Sequence, residues 1–267
     1  MEESKMISAI NNNPSIIKMI NSPTDEMKLL AVQKNGLVLE YIKNPTQEMA
    51  QIAVANNPRA IKFVAEPTYE MMEMAIQSGW SLLGVIANPP EEIIRLAIRA
   101  SGWAIQYVKA PSEALQLMAV KQNYDAIKYI KEPYESVQEE AVSQSYDALR
   151  YIACPSETAQ LMAVKANEAA INFIADLSEE KIITFLKANI LVIKYVSKKI
   201  STETLEEVLR QVLSEENVDE KYVRDFLNCS VIDRNSHNIA LDKVMFIYKY
   251  GSKKAKRITV DERLRML

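Results

Sequence analysis

The run Pro111-Ser-Glu-Ala-Leu-Gln-Leu-Met-Ala-Val-Lys-Gln-Asn-Tyr-Asp-Ala-Ile-Lys-Tyr-Ile-Lys-Glu-Pro133 decides the fold. It begins and ends on proline, 22 residues apart, and the residues between read as two short helices. Ser112 stands where it can cap the first of them. Glu113 falls in the first turn, where the helix dipole favours an anion. Asn123 lies where this helix should stop, and asparagine tolerates the left-handed conformation that ends helices. A second helix of about two turns runs from Tyr124 to Ile130, and the next proline breaks it and restarts the cycle.

Outward from this stretch the same columns recur. Prolines stand at 23, 45, 67, 89, 111, 133 and 155, and Leu177 and Lys199 continue the 22-residue step without proline. Eight residues after each proline comes Ala31, Ala53, Ala75, Ala97, Ala119, Ala141 or Ala163, with Ala9 one step earlier, and a β-branched residue follows each from Ala31 onward. Six residues before each marker stands Ile or Leu: Ile17, Leu39, Ile61, Leu83, Ile105, Ile127, Leu149, Ile171 and Ile193. A fixed period of this length is the signature of a repeat architecture. Helices this short are unstable alone in water, and one unit cannot bury its own apolar face, whereas stacked neighbours can. The expected fold is therefore all-α: an α-solenoid of about nine 22-residue two-helix units over residues 1–198, with no sheet in that span. Ala97 and Ala119 should be buried where helices approach closely.

At Ser201-Thr-Glu203 the register slips, and beyond it the repeat dissolves. Residues 199–267 read as an irregular helical C-terminal cap. It has helices over 201–213 and 218–228, a loop from Asp233 to Asn238, a helix from about 239 to 250, and a basic SKKAKR stretch before the terminal segment.

Composition narrows the function classes. Apolar residues make up 48% and charged residues 25%, ordinary for a globular chain, and only five glycines argue against a turn-rich β fold. A net charge of −3 gives no general pull toward nucleic acid or an anionic membrane. The N-terminal MEESKMISAINNN has neither the basic start nor the apolar stretch of a signal peptide, and no apolar run is long enough to span a membrane. With Cys154 and Cys229 forming neither a disulfide framework nor a metal motif, a cytoplasmic location is expected.

The segments Ala31-Val-Gln-Lys-Asn-Gly-Leu-Val-Leu-Glu-Tyr-Ile42 and Ala119-Val-Lys-Gln-Asn-Tyr-Asp-Ala-Ile-Lys-Tyr-Ile130 resemble a helical-repeat family of unknown function. Its pattern is roughly AAVKQNGxALxYx, and such repeats occur in bacteriophages, giant viruses and some bacteria. The resemblance covers about residues 1–198. The family's glycine after Asn survives at Gly36, has a shifted relative at Gly102, and is replaced elsewhere. The resemblance implies an interaction scaffold of viral or prophage origin and supplies no catalytic residues. More distantly the units are similar to variant leucine-rich and HEAT-type repeats.

Candidate chemistry is sparse. His237, the single histidine, sits in the expected loop without spaced Cys, Asp or Glu partners, so no metal site is expected. Cys154 shares its column with Ser22, Asn44, Glu66, Asn88 and Ala110, which selects no thiol. No Gly-rich phosphate loop or nucleophile elbow is present, so neither cofactor nor catalysis is expected. The column Lys18, Glu40, Lys62, Gly84, Gln106, Lys128, Arg150, Asn172, Lys194 is the one a base-reading repeat would use, which makes RNA or DNA the alternative partner. It reads more simply as a solvated face, and Lys253 to Arg257 as a soluble tail. The aromatics that follow it, Tyr41, Phe63, Tyr107, Tyr129, Tyr151, Phe173 and Tyr195, read as packing residues.

The expected partner is another protein, and the expected surface lies at the turn between the two helices. There the column holds Trp80, Tyr124 and Tyr146, with Trp103 beside Gly102, and Lys128 and Arg150 nearby. A row of Trp and Tyr with basic neighbours has the composition of an interface hot spot. The same rings would also serve as staples folded over the neighbouring unit, and the two readings differ in whether removing a ring costs binding or stability.

Overall fold

The computed structural model describes residues 2–234, 236 and 239–265; His237 and Asn238 lie outside them. The described chain is helical but for two-residue strands Ile232–Asp233 and Ile239–Ala240, which pair in parallel. None of its helices is long and apolar enough to cross a membrane. The chain divides into two compact units, residues 1–132 and 133–267.

In residues 1–132 the helix Glu2–Asn12 is followed by ten-residue α-helices Asp25–Lys34, Gln47–Asn56, Tyr69–Ser78, Glu91–Ala100 and Glu113–Gln122. Between and after them run six-residue 3-10 helices: Pro14–Met19, Gly36–Tyr41, Pro58–Phe63, Trp80–Val85, Gly102–Tyr107 and Tyr124–Tyr129. Successive α-helices pack against one another in chain order. The expected second helix thus has its two turns but is wound tighter, at three residues per turn.

The asparagine column works differently from the expectation. Asn35, Asn57 and Asn123 are extended, with φ of −152°, −144° and −147°, and none is left-handed. At two of these positions the side chain caps the next helix: Asn35 Oδ1 accepts from the Leu37 N–H at 3.0 Å and Asn57 Oδ1 from the Arg59 N–H at 3.1 Å. One residue therefore ends the α-helix by leaving helical φ/ψ and starts the 3-10 helix by capping it. Asn123 instead reaches back to accept the Gly102 N–H at 2.9 Å. Left-handed backbone occurs at Asn44 and Asn88, each just before a proline. Threonine hydroxyls at 24, 46 and 68 cap three of the α-helices, but the side-chain cap expected at Ser112 is not made.

The alanine column lies in the core: Ala31, Ala53, Ala75, Ala97 and Ala119 are fully buried, as expected for Ala97 and Ala119. Close approach is sharpest at Gly36 and Gly102, where an added Cβ would lie 2.1 Å from the Ala53 carbonyl oxygen and 2.2 Å from that of Ala119.

In residues 133–267 the helices Glu135–Gln144, Glu157–Ala166 and Glu179–Ala188 alternate with 3-10 helices Tyr146–Tyr151 and Glu168–Phe173. The short Ile190–Val192 turn then runs into a single α-turn, Ile193–Val196. At position 185 the alanine column becomes a buried Phe, and its helix packs on Thr202–Ser214. Buried glutamines brace this unit. Gln138 Nε2 donates to the Pro133 carbonyl at 3.0 Å while its Oε1 accepts from the Ser156 N–H at 2.8 Å. Gln160 repeats the first bond, to Pro155 at 2.7 Å, but its buried Oε1 has no partner among the described residues.

Helices Thr202–Ser214, Glu220–Asn228, Lys243–Tyr250 and Lys253–Arg265 complete the unit. Two expectations change here. The helix expected from about 239 begins at Lys243, because Asp242 caps it by accepting the Met245 N–H at 3.1 Å. The basic stretch is no tail but the first turn of Lys253–Arg265. Phe226, fully buried, meets Phe246 edge-on at 6.4 Å, and the Tyr222 hydroxyl donates to the Leu186 carbonyl at 2.9 Å. Burial pushes that phenol's pKa up, so it stays a donor.

Candidate functional site

The 3-10 helices decide which side chains meet solvent. In Tyr124–Tyr129, Ala126 and Ile127 are buried, Ile130 three residues on is buried again, and Lys128 and Tyr129 face out. Three residues per turn bring Ile127 and Ile130 onto one face and turn the residues between them away. The aromatics read as packing residues are therefore largely surface. Tyr41, Tyr107 and Tyr129 in the first unit, and Tyr151 and Tyr195 in the second, are exposed, while Phe63 and Phe173 are half-buried. An offset of two residues from the buried aliphatic is too far around either kind of helix to reach the core.

In residues 1–132 the candidate side chains form two groups. Trp80 is half-buried, its ring tilted against Tyr107 of the following 3-10 helix at 6.3 Å. Gly84 makes room for that contact: an added Cβ would lie 2.6 Å from the Tyr107 ring. Trp103 is 38% exposed, and its indole N–H donates to Asp125 Oδ1 at 2.7 Å. Lys128 Nζ donates to the other oxygen of Asp125 at 3.0 Å and lies over the rings of Trp103, at 5.2 Å, and Tyr129, at 5.0 Å. Partial burial pushes the Asp125 carboxyl up, but the hydrogen bonds from Trp103 and Lys128 and the lysine charge outweigh it and hold the group below its ordinary value. Tyr124 is half-buried at the first position of its 3-10 helix.

In residues 133–267, Tyr146 is likewise half-buried at the start of its 3-10 helix. The Arg150 guanidinium lies over Tyr151 at 5.9 Å and Phe173 at 5.1 Å, and 3.9 Å from Asp147.

Of the residues singled out from sequence, the structure thus joins Trp103 with Lys128 and pairs Trp80 with Tyr107 rather than with Trp103. Asp125, Tyr107 and Tyr129 belong to the same surface and were not singled out. The signal for the tyrosines was available in their two-residue offset from Ile105 and Ile127. Trp103 combines both readings of the strip: it is held by the next 3-10 helix and still presents a large part of its ring. Within residues 1–132, the indole and phenol rings around the Lys128 ammonium make a surface suited to holding a partner through ring faces and cation–π contacts.

The chain matches no protein-family model, and no curated protein or solved structure matches it.

Proposed function

We propose that this chain is a non-enzymatic scaffold, an α-solenoid of about nine two-helix units closed by a C-terminal helical cap, that binds another protein through the outward ridge of its 3-10 helices. The observation that carries the reading is the run Trp103, Tyr107 and Tyr129, each about two-fifths exposed on neighbouring elements, with Lys128 over the rings of Trp103 and Tyr129. Rings presented in register to water form an exposed apolar patch that a partner would cover, and Trp, Tyr and Arg are the residue types that anchor interfaces. The resemblance of the repeats to those of bacteriophages points to a host protein as that partner, met in the cytoplasm.

Affinity capture of the tagged chain from its native host, with mass spectrometry of protein and nucleic acid, identifies what it holds. Trp103→Ala, Tyr107→Ala and Tyr129→Ala, made singly, are then expected to weaken the captured protein's binding by about 2 kcal/mol or more for at least one ring. Their melting temperatures should stay close to that of the parent. Lowered melting temperatures with binding intact make the ridge a structural staple.

A second reading, single-stranded nucleic acid, is favoured by the cations beside the rings, since base stacking on aromatics within a basic groove is how such strands are held. It requires an oligonucleotide affinity that falls steeply with salt.

A further inference from the structure

A different surface of residues 1–132 carries a second, independent assignment. On the α-helices, the residues at the second helical position are Glu26, Glu48, Glu70 and Glu92, all exposed. Four residues further on in each stand Leu30, Ile52, Met74 and Leu96, and the next helix continues this column with Met118. A spacing of four places each carboxylate and its apolar residue on one face. Met74 is 37% exposed and the others are half-buried. Because these helices pack side by side in chain order, the two columns form parallel rows: an apolar stripe with an acidic border.

In Gln47–Asn56 and Tyr69–Ser78 the border glutamate is also the acid that the helix N-terminus favours, and hydrogen bonds from the backbone and the Thr68 hydroxyl hold the Glu70 carboxyl below its ordinary value. In the other two helices capping does not account for the border. The dipole asks only for an acid somewhere in the first turn. Glu113, Glu135 and Glu157 supply it at the first position, with Ala114, Ser136 and Thr158 at the second. Helices Asp25–Lys34 and Glu91–Ala100 have acids at both positions. The available cations then go to the first: Lys28 pairs with Asp25 at 2.8 Å and Arg95 with Glu91 at 2.6 Å. Among the described residues none of Glu26, Glu48, Glu70 and Glu92 is in an ion pair.

We propose that this stripe is a docking surface for a basic amphipathic helix, whose apolar face covers Leu30, Ile52, Met74, Leu96 and Met118 while its Lys or Arg residues pair with the glutamate row. The charge decides the occupant, since a carboxylate row repels phosphates and anionic lipid alike. Methionine and leucine on a half-exposed stripe adapt to varied apolar surfaces. Five helices at about 8–10 Å spacing make a stripe roughly 32–40 Å long. A helix of about 21–27 residues spans it, at about 1.5 Å per residue.

The test uses the full chain and three labelled model peptides of about 24 residues, monitored by fluorescence anisotropy: an amphipathic Leu/Lys helix, a scramble of it with no apolar face, and a Leu/Glu counterpart. The Leu/Lys helix is expected to bind and the other two are not. The variant Glu26→Gln/Glu48→Gln/Glu70→Gln/Glu92→Gln should weaken it about tenfold, the sum of four exposed ion pairs. Met74→Gln should weaken it severalfold, with the helical circular dichroism melt unchanged. Equal binding of the scramble, or indifference to both variants, overturns the proposal. So does a concentration-dependent dimer of the parent that the glutamine variant abolishes, which assigns the stripe to a second copy. None of these outcomes bears on the 3-10 ridge, which the variants leave untouched.

Discussion

Residues 24–132 and 133–189 share the same pattern of ten-residue α-helix and six-residue 3-10 helix, yet they spend their variable positions differently. In the first region the second helical position is Glu26, Glu48, Glu70 and Glu92 and then Ala114, and the outward column is Leu, Ile or Met. In the second those positions hold Ser136, Thr158 and Glu180, and Glu140, Met162 and Thr184. The interior differs too. The column that begins Lys28, Ala50, Met72 and Ile94 becomes buried Gln116 at the end of the first region and Gln138 and Gln160 in the second. The apolar version packs by shape alone. Gln138 ties the Pro133 carbonyl to the Ser156 N–H of the next repeat, whereas Gln160, among the described residues, makes only the bond to its proline carbonyl. A repeat thus fixes which columns are inside without fixing how the inside is held.

The comparison is most sharply tested by breaking each region at its own core. Phe226→Ala, at the fully buried ring of helix Glu220–Asn228 in the same compact unit as residues 133–189, is expected to cost about 3–5 kcal/mol. Ala119→Leu, overfilling the first region's alanine column, should cost about 1–3 kcal/mol. Denaturant melts give the sizes. Native-state hydrogen exchange should place the faster-exchanging amides of Phe226→Ala in residues 133–267 and those of Ala119→Leu in residues 1–132. Exchange that rises evenly over the whole chain in both variants means that the two regions unfold as one.

A smaller effect separates the glutamine braces from each other. Gln138→Leu leaves the Ser156 N–H without its acceptor and is expected to destabilise by about 1–3 kcal/mol. Gln160→Leu removes an oxygen that is buried and unpaired, so it should cost at least about 1 kcal/mol less. Equal melting temperatures for the two variants refute the view that the second hydrogen bond is what distinguishes them.

The smallest effect is local to the ridge. The Asp125 carboxyl is held below its ordinary value, so its contribution is complete above the unfolded value of about 3.9 and is lost as pH falls through the folded one. In a Trp80→Phe background, Trp103 fluorescence should therefore change on acidification below about pH 4, and Asp125→Asn should abolish that step. A transition in this range that survives Asp125→Asn belongs to another carboxylate.

How much of the fold and the ridge was legible depends on where each residue sits. The prolines at a 22-residue step, the alanine column and the β-branched residue after it determined helix pairs and their buried face, because proline and small side chains constrain backbone and packing locally. The winding of the second helix was not legible. The nine residues between Asn35 and Pro45 hold two turns of either kind of helix, and the same six-residue 3-10 helix forms whether the residue before it is a capping Asn or Gly79 with no side-chain cap. The exposure of Tyr107 and Tyr129 does not depend on the winding, since two residues from Ile105 and Ile127 turn them away from the core in either kind of helix. Trp103 was visible as a candidate, but its bond to Asp125 joins residues 22 apart and exists only once neighbouring helices are packed. What the sequence determined by itself were the elements and their inward columns, which depend on spacing along the chain. Which side chains share a surface, and which of them keep a charge unpaired, was decided by tertiary structure, because those contacts run between helices at distances the chain's own periodicity does not set.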